Sequence, residues 1–154
     1  LLQTEIVVDS KIFKVHSIGP SGVQTTWTNS LDQSRSCEPI TMVIPPEFEG
    51  PGGTYSPEDL YLLSLLNCYL ATFKYVAEKS RLEFAEIKGD GILYVEKGEE
   101  KALWMRRAEL HFTLIAPKQP ERALALMEKT KNNCMIINSV KTQVDFKFTI
   151  SESI

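Results

Sequence analysis

Hydrophobic positions along this chain fall into short extended runs, interrupted by one long apolar stretch and one amphipathic one. Glu5 to Val8 and Ile12 to Ser17 read as two strands around the turn Asp9-Ser10-Lys11, a first hairpin. Gly19-Pro20-Ser21-Gly22 breaks the chain before Val23 to Thr28, whose Val, Thr and Trp content suits a third strand. Asn29 to Glu38 is polar and ambiguous, and Ile40 to Ile44 is a short apolar strand. The segment from Pro45 to Gly53 is too rich in Pro and Gly for a helix or a central strand, and reads as an ordered loop.

The clearest local signal follows. Ser56 fits an N-cap, Pro57 the first helical position, and Glu58 and Asp59 complement the positive end of a helix dipole. From Leu60 to Val76 apolar residues go nearly all round, leaving no polar stripe wide enough for a surface helix, so a buried central helix is expected. Ile87 to Glu96 and Leu103 to Ile115 read as strands joined by the turn Lys97-Gly98-Glu99-Glu100-Lys101. In the second of these, Leu110, Phe112 and Leu114 alternate with Glu109, His111 and Thr113, the period of a half-buried strand in an antiparallel sheet with one wet face. Pro120 to Lys131 is an amphipathic helix with Ala123, Leu124 and Met127 on one side. Val140 to Ile150 is a last strand in which Val144, Phe146, Phe148 and Ile150 alternate with polar residues. This order of elements predicts an α+β fold, with antiparallel sheets packed around a buried central helix.

Composition sets bounds. At 154 residues, 43% hydrophobic and 24% charged, the chain fits one soluble domain spanning 1–154. A net charge of −3 without a basic run gives no case for nucleic acid or an anionic membrane surface. The most apolar stretch, Leu60 to Leu70, is about half the length that a spanning helix needs and carries Ser64 and Asn67. No charged-then-apolar amino-terminal segment marks a signal peptide, and the expected compartment is the cytoplasm. There are no repeats and no low-complexity tract.

The chemistry-bearing residues are three cysteines. This odd number does not make an extracellular disulfide framework, so a bond between Cys68 and Cys134 would be transient rather than structural. Cys68 lies in the middle of the apolar helix, roughly 15 Å from its N-terminus at about 1.5 Å per residue, too far for the helix dipole to activate it. A thiolate there needs a basic partner from elsewhere, and Arg35, Arg81, Arg106, Arg107 and Arg122 are the guanidinium groups on offer. Cys134, after Asn132-Asn133 at a helix end, is in the breakable, partly exposed position a resolving thiol needs. Each cysteine has a plainer reading as a core residue, since free Cys is among the most buried residue types. Cys37, in a polar loop, reads as incidental. His16 and His111 sit in separate strands without ligand spacing, there is no Cys-x-x-Cys, and the glycines of 50–53 match no phosphate-binding pattern. Glu58 suits its helix terminus without further function. It would share a site with Cys68 only if a second copy of the helix packed antiparallel beside the first, as a two-fold dimer allows.

Glu49-Gly50, then Gly53-Thr54-Tyr55-Ser56-Pro57-Glu58-Asp59-Leu60, then Leu65-Leu66-Asn67-Cys68, with Cys134 downstream, resembles the OsmC/Ohr family of osmotically inducible and organic-hydroperoxide-resistance proteins. The resemblance in element order covers nearly the whole chain. It implies an intertwined homodimer with sites at the subunit interface, a peroxidatic Cys68, a resolving Cys134, and Glu58 positioning an activating arginine. Two departures accompany it. Met135 stands where many members have Pro, and no arginine lies in Glu5 to Thr28 or just before Glu49, which leaves Arg35 as the nearest candidate. The implied activity is reduction of organic hydroperoxides through a Cys68 sulfenic acid and a Cys68–Cys134 disulfide reopened by an external dithiol, with no metal or bound cofactor. Leu62, Leu65, Leu66, Tyr69 and Phe73 suit apolar hydroperoxides. The alternatives are a non-enzymatic relative that binds an apolar ligand or senses redox state, and a structural domain whose cysteines are core.

Overall fold

The computed structural model describes residues 11–31 and 37–153, and the chain forms two compact units, Leu1–Pro57 and Glu58–Ile154. The expected strand Glu5 to Val8, most of the turn that follows it and Arg35 lie outside the described residues.

In the first unit, β1 (Val15–Ile18), β2 (Trp27–Leu31) and β3 (Ile40–Met42) form an antiparallel sheet in that order, with His16 opposite Ser30 and Thr28 opposite Thr41. The second of these starts later than its composition suggests. Gly22 has φ +108°, Thr25 donates both its N–H and its hydroxyl to the Gly22 carbonyl, and the Gln24 amide is tied to the Glu49 carbonyl, so residues 22–25 form a turn rather than strand. The Pro- and Gly-rich loop holds a single 3-10 turn, Pro46–Phe48. Gly50 is needed there because a Cβ would lie 1.9 Å from the Ile44 carbonyl oxygen.

The second unit carries α1 (Pro57–Lys79), β4 (Glu86–Lys97), β5 (Leu103–Ile115), α2 (Pro120–Thr130) and β6 (Gln143–Ser151). With two helices and two three-stranded sheets among the described residues, the fold is α+β, as expected. One pairing differs from expectation. β4 and β5 are antiparallel, but β6 runs parallel to β5, from Arg107 opposite Gln143 to Ile115 opposite Ser151. Alternation of apolar residues specifies which face a strand buries and is silent on its direction. The connection supplies the direction, because α2 and its flanks are long enough to return the chain to the same end of the sheet.

The buried face of α1 is also narrower than its sequence suggests. Leu65, Tyr69, Phe73 and Ala77, spaced four apart, are fully buried and pack with Ala108, Leu110, Phe112 and Leu114 of β5 and Ala123 and Met127 of α2. Tyr69 lies 4.2 Å from Phe112 between ring centroids and 5.4 Å from both Phe146 and Phe148. Leu62, Leu66 and Leu70 are only half-buried within a single chain. By length and composition α1 is apolar enough to cross a membrane, with 23 residues and a mean hydropathy of 1.3 over its most apolar 18-residue window. Core helices of soluble proteins pass the same test, and the Leu65-to-Ala77 stripe is packed as one. Two glycines let the helix come down onto the sheet. A Cβ at Gly89 would stand 3.1 Å from Phe112 and 3.3 Å from Leu66, and one at Gly91 3.0 Å from Leu62.

Candidate functional site

The central stripe of α1 fixes the site, since the residue before Tyr69 is Cys68. Tyr69 is clamped twice, by its ring in the aromatic cluster and by its hydroxyl, which donates to the Met127 carbonyl of α2 at 2.8 Å. Burial, with Cys134 and Glu128 adding to it, raises the Tyr69 pKa far above the usual phenol range, so this hydroxyl stays a donor. The same clamp sets α1 against the segment that follows α2.

That segment leaves α2 through a 3-10 turn, Lys131–Asn133, and reaches Cys134 in extended conformation (φ −85°, ψ 102°). A closed set of hydrogen bonds then shapes residues 132–139. The Asn138 N–H donates to the Cys134 carbonyl at 2.9 Å, the Ser139 N–H to that of Ile136 at 3.0 Å, the Ser139 hydroxyl to that of Met135 at 2.8 Å, and the Asn138 side-chain amide to that of Asn132 at 3.1 Å. The outcome reverses the expected exposure. Cys134 is fully buried, while Met135 beside it is 78% exposed. The polar Asn132-Asn133 pair reads as a surface break, but the extended backbone at Cys134 turns its thiol inward, where it joins the core cluster.

The structure brings Cys68 and Cys134 together as free thiols. Cys68 is half-buried and its sulfur accepts a hydrogen bond from the Ile136 main-chain N–H at 3.4 Å. Cys134 donates to the Thr130 carbonyl at 3.6 Å. Burial pushes its thiol up to about 11, and the neighbouring Cys68 sulfur pushes the same way, opposed by the Thr72 hydroxyl. Thr72, one turn beyond Cys68, also donates to the Cys68 carbonyl at 2.7 Å. At neutral pH Cys134 is therefore a protonated, sheltered thiol, and Cys68 is the more accessible of the two sulfurs.

The other expected site residues do not join this pair. Glu58 stands in the first turn of α1, ten residues before Cys68 and so about 15 Å along the axis. Its Oε2 is buried and makes no hydrogen bond among the described residues. Three of the candidate arginines hold other partners: Arg106 bonds Glu96, Arg107 bonds Glu109 and Asp145, and Arg122 bonds Gln119 and the Ser80 carbonyl, while Arg81 is exposed just past the end of α1, thirteen residues beyond Cys68. Cys37 is exposed, His16 pairs in β1, and the His111 ring contacts the Thr149 hydroxyl at 2.8 Å. Among the described residues no group of three or more His, Cys, Asp or Glu side chains is disposed to hold a metal ion. Leu65, Tyr69 and Phe73 are core residues, which leaves Leu62 and Leu66 as the accessible part of the expected apolar surround.

Sequence reasoning did not single out Thr72 or Ile136. A signal existed for the first, because a hydroxyl four residues after Cys68 shares its helix face. The second acts through its backbone, to which residue type gives no clue.

A family model described as OsmC-like protein matches residues 50–149. Among curated proteins, the uncharacterized protein YmaD of Bacillus subtilis is 28% identical over 132 residues, covering 80% of this chain and 85% of that one. Solved structures share the fold at lower identity. An OsmC-like protein of unknown function from Vibrio cholerae is 15% identical with a TM-score of 0.78, covering 90% of this chain and 99% of that one. An organic hydroperoxide resistance protein from Legionella pneumophila is 18% identical with a TM-score of 0.69, covering 92% and 99%.

Proposed function

We propose, from the premise that this chain belongs to the OsmC-like protein family, that it is a thiol-dependent peroxidase acting on organic hydroperoxides. The observation that carries the reading is the pairing of a half-buried Cys68 with a sheltered, protonated Cys134. The organic hydroperoxide resistance for which the Legionella pneumophila neighbour is named is consistent with it.

In the proposed reaction the Cys68 thiolate attacks the distal oxygen of a hydroperoxide. The S–O bond forms as the O–O bond breaks, the alcohol leaves after taking a proton, and Cys68 becomes a sulfenic acid. Cys134 then attacks that sulfur. Its proton and the sulfenic hydroxyl leave as water, and the resulting disulfide is reduced by an external dithiol. The high Cys134 pKa supports this division of labour, because a thiol kept protonated is a poor first nucleophile.

We assign the remaining parts to a second copy of the chain. α1 leaves much apolar surface half-buried, and Phe13 and Ile18 are each 80% exposed. A homodimer would cover such surface, and an antiparallel second α1 would bring Glu58 of one copy near Cys68 of the other. The unpartnered Glu58 Oε2 supports a missing donor, for which Arg35 is the candidate. A second reading, a non-enzymatic protein that holds an apolar ligand or senses redox state, is favoured by one observation: among the described residues no arginine bonds the Cys68 sulfur.

The test is consumption of cumene hydroperoxide and tert-butyl hydroperoxide by reduced protein with dithiothreitol, with light scattering to give the mass in solution. Turnover lost in Cys68→Ser, and disulfide lost in Cys134→Ser, are expected. Absence of turnover in a correctly folded dimer would move the assignment to the ligand-binding reading.

A further inference from the structure

We infer that the Ile136 main-chain N–H is a catalytic group, a hydrogen-bond donor that stabilises the Cys68 thiolate, so that the segment carrying the resolving thiol also activates the attacking one. This deepens the proposed peroxidase reading and rests on it.

Three observations support the role. The N–H lies 3.4 Å from the Cys68 sulfur, within the range for a sulfur acceptor, and is directed there rather than at a carbonyl. It is held in place beforehand, because hydrogen bonds from Asn138 and Ser139 fix the carbonyls of Cys134, Met135 and Ile136 around it. The titratable group facing Cys68 from the packed segment is Cys134, which is protonated at neutral pH and brings no charge of its own, and Tyr69 behind it is neutral as well. A donor aimed at a sulfur favours the charged form of that sulfur. Hydrogen bonds to an ionised acceptor are roughly twice as strong as neutral ones, so this amide bears chiefly on the thiolate. Deprotonation releases one proton to solvent and leaves the sulfur electron pair facing the amide. When Cys134 later bonds to Cys68, the anion is gone and the amide has lost its charged acceptor, which favours return to the reduced thiolate.

Ile136 has φ −66° and ψ −45°, so Ile136→Pro deletes the N–H at a backbone angle the ring accepts, while Ile136→Ala removes the side chain and keeps the N–H. The measurement is the pH dependence of iodoacetamide alkylation at Cys68, resolved by peptide mass spectrometry without peroxide. Loss of a hydrogen bond to a charged group should slow alkylation at neutral pH by about tenfold or more in Ile136→Pro, with Ile136→Ala matching wild type. Equal rates in all three proteins, or an equal loss in both variants, would overturn the inference. Should circular dichroism show Ile136→Pro to be unfolded, the wild type decides the matter. Its Ile136 amide proton should move downfield with the midpoint of Cys68 alkylation, and an amide proton indifferent to that titration overturns the role. Because no peroxide enters either experiment, a failed peroxidase assignment and a failed amide role give separable results.

Discussion

Raising the pH tests the burial of Cys134 directly. A thiol with an ordinary value of 9.0 that is held near 11 in the folded chain keeps its proton when the unfolded chain has already released it. The unfolded state then binds fewer protons, and stability falls as pH rises. The contribution is intact below about pH 8, declines between about pH 9 and 11, and is constant above. For two such values the loss between pH 9 and 10 is about 1 kcal/mol, and the full loss approaches about 3 kcal/mol, since each tenfold difference in proton affinity is worth roughly 1.4 kcal/mol. Tyr69, raised for the same reason, adds its own loss as the pH approaches 10, and comparison with a variant that keeps Tyr69 removes it. The assay is urea denaturation under a thiol reductant at half-unit pH steps, comparing wild type with Cys134→Ala. The variant is destabilised at pH 8 by its cavity, and the gap to wild type should narrow by about 1 kcal/mol between pH 9 and 10. Parallel curves through that interval would mean that Cys134 is solvated in solution, and the account of a sheltered thiol would fall.

Three further outcomes are expected. Tyr69→Phe strips the Met127 carbonyl of its 2.8 Å donor and should cost about 1–2 kcal/mol in chemical denaturation, against about 3–5 kcal/mol for Tyr69→Ala; a Phe variant as stable as wild type would show the bond to be idle. Gly91→Val places methyl groups where a Cβ is already 3.0 Å from Leu62, so a loss of about 1–3 kcal/mol is expected, less in Gly91→Ala because the contacting atoms belong to a side-chain tip that can yield. Thr72→Val removes the hydroxyl that opposes the rise of the Cys134 pKa, so disulfide formation under diamide at neutral pH should slow by about two- to tenfold, and an unchanged rate would contradict it.

The elements most legible in the sequence were those whose signals are local. β5 spans Leu103–Ile115, the bounds its alternation predicts, and α1 opens at Pro57, where the proline and the acidic first turn place it. The direction of β6 was hidden because side-chain alternation is the same in parallel and antiparallel partners. The start of β2 was hidden because its delay comes from Gly22 φ and the Thr25 bonds rather than from strand propensity. At the site, the helical contexts of Cys68 and Cys134 already suggested a two-thiol pair, and the family resemblance proposed a role for each. The inward turn of Cys134 depends on a loop held by two main-chain bonds together with the Asn138 and Ser139 side chains, a closure that no periodic pattern announces. The close approach of α1 had a readable trace, since Gly89 and Gly91 alternate on one face of β4 and a strand spends glycines in that way where something comes near.

The parallel pairing of β6 bears on when the two thiols can meet. The β4–β5 hairpin joins neighbours in sequence, whereas β6 has to return across the connection that contains α2 and Cys134 before it can align with β5. Non-local pairings of this kind form late, because loop-closure entropy is lost before contacts repay it. Cys68 sits on a helix whose main-chain bonds are local, whereas Cys134 lies on the connection that must close before β6 can align. Until β6 docks, no fold holds Cys68 and Cys134 together, and the two-sulfur site comes with completion of the sheet, which makes thiol pairing a chemical readout of that step.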